Sequence, residues 1–416
     1  MRKLKINSLN IMFLTLFLVP TQIVVNHISL AVSDILVPLQ LFLIVLASRN
    51  RGLKIKRRTI IIAVLAVFQL LFSLTYVFRN PGDGQYLNVS IVAIFKLFTC
   101  MLYSIIFFFN FKTFNKKQHI LYLRINTIVG MFFSLMCIVG VTLFYMGIRT
   151  FLVRFGYRAS ATFEDPNLAA MYLLLNLGVS GMYYFVESNK IWKRFTIVTI
   201  VMMLISVFLT ASKAAVITLG LSLLFTIVVA RYLNIIKSLK KPIKALIIIA
   251  ICLFLIYKYT DLLNGIITRF SNIDDADELT TGRSEIWKTA IVIILSGTNI
   301  IHGVGIGMFE VSLPRYGYNA IIHRAHNTYL SIFSECGFVM FLLLVLIVAY
   351  IVLHLYKRMF IQRDLISLCM FFSVIVVIIE FFSLNLQNSR TTYIFLTYVY
   401  AYISFLHKHF EPEKKI

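Results

Sequence analysis

The stretch TYLSIFSECGFVMFLLLVLIVAYIVLH, residues 328–354, decides the fold class, because Glu335 is its only Asp, Glu, Lys or Arg. A helix needs about 20 mostly apolar residues to cross the hydrocarbon core of a bilayer, and this stretch is long enough. Similar windows recur along the chain. We predict twelve transmembrane helices, near 8–25, 28–48, 59–78, 90–111, 122–147, 167–186, 195–210, 214–230, 244–260, 328–354, 365–383 and 392–407.

Lysines and arginines concentrate in alternate loops between these windows. Together with the two tails, those loops hold 26 of the 40 basic residues; they lie around 49–58, 112–119, 190–194, 231–244 and 357–363. Cytoplasmic loops of membrane proteins carry such an excess. We therefore predict that both termini are cytoplasmic and that the long polar segment 261–326 faces outward.

These observations predict an all-α polytopic membrane protein. Helices 1–9 would occupy residues 1–260, and residues 261–326 would form one large extracytoplasmic loop that contains short interfacial helices and the catalytic groups. Helices 10–12 and a cytoplasmic tail would follow over residues 327–416.

The composition argues against several classes of protein. With 60% hydrophobic residues, the chain is not a globular domain. Its net charge of +23 fits the topology signal and the anionic headgroups of membrane lipids, so it does not indicate nucleic-acid binding. The five cysteines all lie in apolar windows without CxxC spacing, which argues against disulfides and structural zinc.

Only 11 basic residues fall on the predicted outer side, so each is a candidate for function. In the loop, Trp287, Ile291 and Leu295 have the spacing of an apolar helix face. This helix is too short to span and would lie along the interface. Arg283 would stand at its start, where the helix dipole disfavours a cation. A bound anion would explain Arg283 there; a surface arginine that reaches lipid headgroups is the alternative.

Two further outer turns contain cations. Arg154 and Arg158 precede Asp165-Pro166, and this pair is typical of a helix N-cap and first turn. Lys213 is predicted to begin another helix, again at the end that disfavours a cation. Because helix N-termini attract phosphate, a shared anion would account for Lys213; an interfacial lysine that reaches the headgroups is the alternative.

The loop closes with His323 and His326, and a glycine-rich stretch lies at 303–307. The HxxH spacing could hold a metal, but no carboxylate cluster is near in sequence, so we expect no metal site. A histidine is suited to taking a proton near neutral pH, whereas an interfacial histidine bonded to backbone is the alternative for His326. The glycines lack the spacing of a dinucleotide fingerprint. They predict a close approach of the backbone to a ligand or another loop.

Charged residues also lie inside the predicted helices. Intramembrane ionisable groups are usually functional, although they can also join helices by pairing with one another. The sequence leaves the pairing open for all of them: Asp34, Lys96, Arg124, Lys258 and Glu380.

Five short motifs follow one another between about residues 150 and 345. They are Phe163-x-Asp165-Pro166-Asn167 followed by Ala169 or Ala170, Thr210-x-Ser212-Lys213, Gly282-Arg283 with Trp287, Gly303-x-Gly305-x-Gly307-x-Phe309, and His326-Asn327-x-Tyr329-Leu330. In this order they resemble the bacterial O-antigen ligase and polysaccharide polymerase superfamily of the Wzy type. One residue departs from the pattern. Lys213 stands where arginine is usual, and lysine keeps the charge but lacks the bidentate fork for phosphate.

The resemblance implies a membrane glycosyltransferase that works by inverting, metal-independent transfer from a polyprenyl (undecaprenyl) diphosphate-linked oligosaccharide, without a cofactor. Cations would stabilise the diphosphate leaving group in place of a metal. The expected site comprises catalytic His326 and Arg283, diphosphate-binding Arg158, Lys213 and Arg154, and Asn327, Tyr329 and Trp287 as further substrate contacts.

The expected activity is polymerisation of repeat units into a capsule, an exopolysaccharide or an O-antigen at the bacterial cytoplasmic (inner) membrane, with export or chain-length-control proteins as partners. A ligase that transfers the glycan to another envelope acceptor would use nearly the same residues. A flippase for lipid-linked oligosaccharides is the rival from another class. Flippases show internal repeats and a charged central cavity, and no repeat is visible here. A membrane scaffold is the remaining alternative.

Overall fold

The computed structural model describes the greater part of the chain, in several segments. These are residues 8–25, 28–48, 67–69, 71–72, 86–236, 238, 247, 251, 254–255, 257–260, 264–271, 283–318 and 324–410. Within them the chain is mostly helical, and its β structure consists of two short hairpins.

The helices vary widely in length. They are α1 (Ser8–Leu18), α2 (Leu36–Ser48), α3 (Leu87–Lys112), α4 (Lys116–Tyr145), α5 (Pro166–Val186), α6 (Lys190–Leu209), α7 (Lys213–Tyr232), α8 (Asn264–Ser271), α9 (Ser284–Leu295), α10 (Asn299–His302), α11 (Phe309–Ser312), α12 (Thr328–Gln362), α13 (Leu365–Glu380) and α14 (Arg390–Ser404). The strands are β1 (Gln22–Val25), β2 (Ile28–Ala31), β3 (Val153–Arg154) and β4 (Arg158–Ala159). Three 3₁₀ turns complete the described elements, at Val32–Ile35, Leu313–Tyr316 and Leu406–Phe410.

Six described helices, α3 to α7 and α12, are long and apolar enough to cross a membrane, and α1, α2 and α13 are apolar but shorter. A helical, multi-pass membrane protein is thereby confirmed. The bounds of the six agree with the predicted windows to within several residues. The predicted windows 59–78 and 244–260 lie mainly outside the described residues, so the total of twelve spans stays a prediction.

The first two predicted windows, 8–25 and 28–48, are wrong as continuous helices. Helix α1 ends at Leu18, and β1 pairs antiparallel with β2. Pro20 has no backbone N–H to donate to a continuing helix. The strand that follows, Gln22–Val25, is rich in β-branched residues, which favour strands.

Helix α5 lies at the centre of the bundle, where it packs on α4, α6 and α13. Its start follows the predicted signal. Asp165 is the N-cap, its carboxylate accepts a hydrogen bond from the backbone N–H of Asn167 at 2.8 Å, and Pro166 is the first helical residue. The motif before α5 therefore has a fixed position relative to the helical core.

Three of the intramembrane charges have partners from outside the predicted set. The sequence left open whether the intramembrane charges pair with one another, and these three do not. Asp34 pairs with Arg390, Arg124 with Glu187, and the ammonium of Lys258 lies 5.5 Å from the centre of the Tyr259 ring.

The glycine-rich stretch 303–307 packs backbone to backbone on helix α12. Gly303 and Gly337 have φ of 75° and 76°, in a region that is almost restricted to glycine. A Cβ on Gly303 would lie 2.2 Å from the carbonyl carbon of Glu335, and one on Gly337 would lie 2.2 Å from the carbonyl oxygen of Ile301. The backbone does approach another element closely, as predicted, but that element is α12 and not a ligand or another loop.

Candidate active site

The turn between α6 and α7 offers two backbone carbonyls to two arginines. Ala211 adopts a left-handed backbone with φ 48°, which is uncommon for a residue with a side chain. The Nε of Arg158 donates to the carbonyl oxygen of Thr210 at 2.9 Å. The Nη1 of Arg269 donates to the next carbonyl, that of Ala211, at 2.6 Å. The Thr-x-Ser-Lys motif thus orients guanidinium groups from two other elements.

Arg158 is also held by the motif that begins α5. Its Nη2 donates to Oδ1 of Asn167 at 2.8 Å, and the amide nitrogen of Asn167 donates to Asp165 at 2.9 Å. The pKa of Arg158 is lowered to about 10, mainly by burial and also by the nearby charge of Arg269, with Asp165 opposing them. Arg158 therefore stays a cation at neutral pH.

Arg283 stands immediately before α9, as predicted, and reaches the segment between α13 and α14. Its Nη1 donates to the carbonyl oxygen of Ser383 at 2.7 Å. Burial lowers the pKa of Arg283, while the carboxyl groups of Asp165 and Glu380 act in the opposite direction and Arg269 acts with burial. Arg283, Arg158 and Arg269 are therefore electrostatic neighbours.

His326 precedes α12, and the charge of Arg283 is near enough to affect its pKa. Burial lowers the pKa of His326 to about 4, and the positive charges of Arg283 and Arg324 lower it too, with Asp165 opposing them. Its backbone is left-handed, with φ 45°. Within the part of the chain that the structure describes, no hydrogen bond holds the imidazole. The ring is neutral at physiological pH and can accept a proton.

The residues on either side of His326 fix its backbone. Trp287 donates from Nε1 to the carbonyl oxygen of Ala325 at 2.7 Å. Asn327 is the N-cap of α12 and accepts from the N–H of Leu330 at 3.1 Å, while its own N–H donates to Asn385 at 2.9 Å. That Trp287 and Asn327 contact substrate stays a prediction; the structure shows that both make hydrogen bonds next to His326.

The remaining predicted site residues lie in different places. Lys213 is the first residue of α7 and is buried, and it directly follows the turn whose carbonyl groups accept from Arg158 and Arg269. Tyr329 packs its ring against Phe381 and Phe382, 5.5 Å and 4.7 Å away between ring centres. Arg154 lies exposed on β3, and its charge is not among those that shift the pKa of Arg158, Arg283 or His326. His323 lies outside the described residues.

Sequence reasoning missed two features of the site. Arg269 was one of the few outward cations, but no motif distinguished it. The segment 381–389 was divided between a predicted helix end and a loop, yet its backbone accepts hydrogen bonds from Arg283 and from Thr328, whose N–H donates to Phe381 at 2.7 Å. These contacts join segments far apart in sequence, so local patterns carry no signal for them.

The matched family covers the middle of the chain and much of this site. Residues 198–345 match the family model described as O-antigen ligase, Wzy_C. This confirms the resemblance found in the motifs. The matched region contains Lys213, Arg269, Arg283 and His326, whereas Arg158 lies before it. No curated protein matches the chain.

The geometry brings together a cationic surface and a neutral base. Three guanidinium groups, each oriented by a backbone carbonyl, form a preorganised environment for developing negative charge. His326 is close enough for Arg283 to alter its pKa. Such an arrangement can stabilise an anionic leaving group while a proton is removed nearby. The family match supports an activity of the O-antigen ligase or polymerase type in a membrane protein.

Proposed function

We propose that the protein polymerises polyprenyl-diphosphate-linked oligosaccharide repeat units into a cell-surface polysaccharide, by inverting glycosyl transfer that needs no metal. The reaction takes place on the extracytoplasmic face of the bacterial cytoplasmic membrane. The observation that carries the proposal is that backbone carbonyls hold Arg158, Arg269 and Arg283, in a chain that matches the O-antigen ligase family over residues 198–345.

In the transfer step, a hydroxyl oxygen of the acceptor glycan attacks the anomeric carbon of the donor's first sugar. The bond from that carbon to the diphosphate oxygen breaks, and the diphosphate leaves with the electron pair. His326 takes the hydroxyl proton. Arg283, Arg158 and Arg269 stabilise the charge on the leaving diphosphate, with Lys213 at the neighbouring helix start. Attack from the opposite face inverts the configuration.

The lowered pKa of His326 fits its role as the base in the transfer step. Its free ring is neutral, so it is ready to act as a base. Binding of the donor brings the negative diphosphate to the arginines that repel protonation of the imidazole. Neutralising those arginines raises the pKa of His326, so its affinity for a proton increases when the donor is in place.

Ligation is the second candidate function, since the matched family is described as O-antigen ligase. A ligase would move the glycan from the same donor to a different envelope acceptor, with the same roles for Arg283 and His326. The product distinguishes the two. A purified polymerase lengthens lipid-linked glycans when the repeat unit is its sole substrate, whereas a ligase leaves them at one unit.

The mechanism is tested by single substitutions in purified protein reconstituted with a lipid-linked repeat unit. His326→Ala should reduce polymer formation by roughly 10²–10⁴-fold, the usual contribution of a general base. Arg283→Ala should reduce it by roughly 10²–10³-fold, the usual contribution of a group that stabilises developing charge. The double variant should be no worse than either single variant, because the two groups serve one transition state. Lys288→Ala is the matched control, since Lys288 is on the same helix as Trp287 but exposed to solvent.

Polymer formation should persist in excess EDTA. Activity of His326→Ala at the wild-type rate would overturn the general-base role. Activity lost in EDTA and restored by a divalent cation would overturn metal independence. Movement of the substrate across the bilayer without any new glycosidic bond would favour the flippase alternative.

A further inference from the structure

The hairpin of β3 and β4 carries an exposed aromatic residue in contact with a cation of the candidate active site. Phe155 is 73% exposed, and the centre of its ring lies 5.9 Å from the guanidinium carbon of Arg158. This distance is within the range of a cation–π contact. Arg158 itself is buried. The proposed mechanism uses the arginine and gives the phenylalanine no role.

The backbone of Phe155 has an unfavourable conformation. Its φ is 50°, a left-handed value that is rare for a bulky residue. The flanking residues Arg154 and Arg158 pair with each other in the hairpin. Left-handed values at residues other than glycine persist where the surrounding structure enforces them, and they cluster at sites that bind ligands. The position of the exposed ring is therefore maintained by the hairpin.

The hairpin lies alongside the last turns of α4. A Cβ on Gly140 would lie 2.6 Å from the Cβ of Leu152, just before β3, and Gly140 precedes Tyr145, the last residue of α4, by five positions. At 1.5 Å per residue this is a depth of about 7.5 Å below the helix end. Strand β4 packs on α4, α5 and α6. The hairpin is thus located where membrane helices end, and an exposed apolar side chain there can contact a lipid.

The hydrogen bonds distinguish two ends of the arginine cluster. Arg158 donates to the turn between α6 and α7. Arg283 donates to the carbonyl oxygen of Ser383, and the two peptide groups after His326 donate to the same segment. In the proposed reaction the sugar of the donor lies beside His326. Arg283 is then at the sugar end of the diphosphate, and Arg158 is at its lipid end.

We propose that Phe155 holds the first isoprene unit of the donor's polyprenyl tail, beside the phosphate that Arg158 binds. This inference rests on the proposed function. The tail is bonded directly to the diphosphate, so its first carbons lie next to the guanidinium at the lipid end. A lipid with an anionic head and an apolar tail complements a buried cation in contact with an exposed ring.

A binding experiment tests this contact without requiring transfer. The probe is a prenyl diphosphate without a glycan, which carries a photoreactive diazirine on its first isoprene unit. The full-length protein is irradiated with the probe in vesicles of zwitterionic lipid, and mass spectrometry should locate the label on residues 151–157. An excess of unlabelled prenyl diphosphate should prevent the labelling, whereas the same excess of phosphatidylglycerol should not.

A kinetic experiment tests whether the contact serves the tail. Two donors carry the same repeat unit, one on a polyprenyl diphosphate and one on a methyl diphosphate that lacks the tail. Phe155→Asn removes the ring and introduces a residue that tolerates left-handed φ. It should raise the KM for the polyprenyl donor by roughly 3- to 10-fold, the change expected for one aromatic contact. The KM for the methyl donor should not change.

Two further variants separate the contact from general effects on the hairpin. Phe155→Leu keeps an apolar side chain and should keep most of the wild-type KM for the polyprenyl donor. Phe151→Ala is the matched control, since Phe151 precedes the same hairpin and is 67% exposed. It should leave the KM for both donors unchanged.

Four results are decisive. Labelling confined to other segments, or prevented equally by phosphatidylglycerol, overturns the inference. An equal rise of KM for both donors in Phe155→Asn also overturns it, because the ring would then act only through Arg158. An equal rise in Phe151→Ala and Phe155→Asn would show that both rings only anchor the hairpin in lipid. Labelling of the hairpin without transfer by the wild-type protein would retain the tail contact and overturn the proposed function.

Discussion

His326 joins an uncommon backbone conformation to an altered side-chain pKa. Left-handed φ values at residues other than glycine persist where the surrounding structure enforces them, and they cluster at functional sites. Here Trp287 and Asn327 fix the two neighbouring peptide groups. The left-handed backbone and the shifted pKa thus occur at the same residue, directly before the N-cap of α12.

The pH dependence of the reaction follows from this pKa. Because the pKa of His326 is lowered to about 4, the neutral, basic form persists far below the usual range of histidine. We expect kcat/KM, which reports the pKa of the free enzyme, to decrease only as the pH falls towards 4. The acidic limb of kcat should lie at higher pH, since bound diphosphate raises the pKa of the imidazole.

A variant of the neighbouring cation tests the cause of that shift. Arg324 contributes to lowering the pKa of His326, so Arg324→Gln should move the acidic limb of kcat/KM to higher pH. The ordinary pKa of histidine is near 6.5. An acidic limb of the wild-type kcat/KM profile at that pH would contradict the burial of His326. Initial rates across a pH series, with stability checked at each pH, give the measurement.

Glu380 is a buried carboxyl that supports Arg283 indirectly. It is 1% exposed, and the hydroxyl of Ser383 donates to its carboxylate. The carbonyl of the same Ser383 accepts from Arg283 at 2.7 Å. Glu380 therefore orients the backbone group that holds the arginine, and the two side chains are close enough to interact electrostatically.

Replacement of the Glu380 carboxyl by an amide should weaken transfer without unfolding the protein. Glu380→Gln can still accept the hydrogen bond from Ser383 but cannot become charged. We expect a loss of roughly tenfold in kcat/KM, in line with about 1.5–3 kcal/mol for a hydrogen bond to a charged group. The control is Glu285→Gln, on α9 and exposed, which should retain activity. Equal kcat/KM in the Glu380→Gln and wild-type proteins would show that Glu380 only packs.

At the level of elements, the crossing of the glycine-rich stretch and α12 sets the position of His326. Gly303 lies so close to the backbone of α12, and Gly337 so close to the backbone of Ile301, that a Cβ on either glycine would overlap backbone atoms at 2.2 Å. Both also have a backbone conformation whose cost for other residues is about 1–3 kcal/mol. The outer segments are therefore attached to α12 through these two positions.

Alanine at either glycine should disrupt this close backbone contact. Gly303→Ala and Gly337→Ala are both expected to lower the midpoint of thermal unfolding and to reduce transfer, because His326 lies directly before the N-cap of α12. Gly220→Ala is the matched control. Gly220 lies in α7, where an added Cβ would meet no atom within 4 Å, and alanine is the better helix former. A stable, fully active Gly337→Ala protein would show that the crossing does not set the position of His326.

The elements show how far the sequence predicts this structure. The starts of α5, α7 and α9 were predicted from Asp165-Pro166, Lys213 and Arg283, because capping depends on a few adjacent residues. Long-range contacts leave no such local trace. The Asp34–Arg390 pair joins residues 356 positions apart, and Arg269 reaches a carbonyl 58 positions away. The cationic residues could be proposed from their rarity on one side, but their partners could not.

For the whole molecule, the proposed reaction requires that the site and the substrate be on the same face of the membrane. Basic residues in alternate loops predict cytoplasmic termini and an outward segment 261–326. Helix α12 joins the site to the next predicted cytoplasmic loop. The backbone of Gly337 is not helical, so the continuous helical part after it is residues 338–362. At 1.5 Å per residue this part is about 37 Å long, which is enough to cross a bilayer, and we therefore expect its two ends on opposite faces.

Single cysteines at the two ends of this region test the orientation. In a variant without the five native cysteines that still makes polymer, Arg315→Cys and Gln362→Cys are introduced one at a time; both positions are exposed. In right-side-out vesicles a membrane-impermeant maleimide should label the cysteine at 315, and should label the one at 362 only after the vesicles are opened. The reverse pattern would place His326 and Arg283 in the cytoplasm, where nucleotide sugars are available and a lipid-linked donor would not be required. The proposed chemistry therefore depends on the orientation of this one helix.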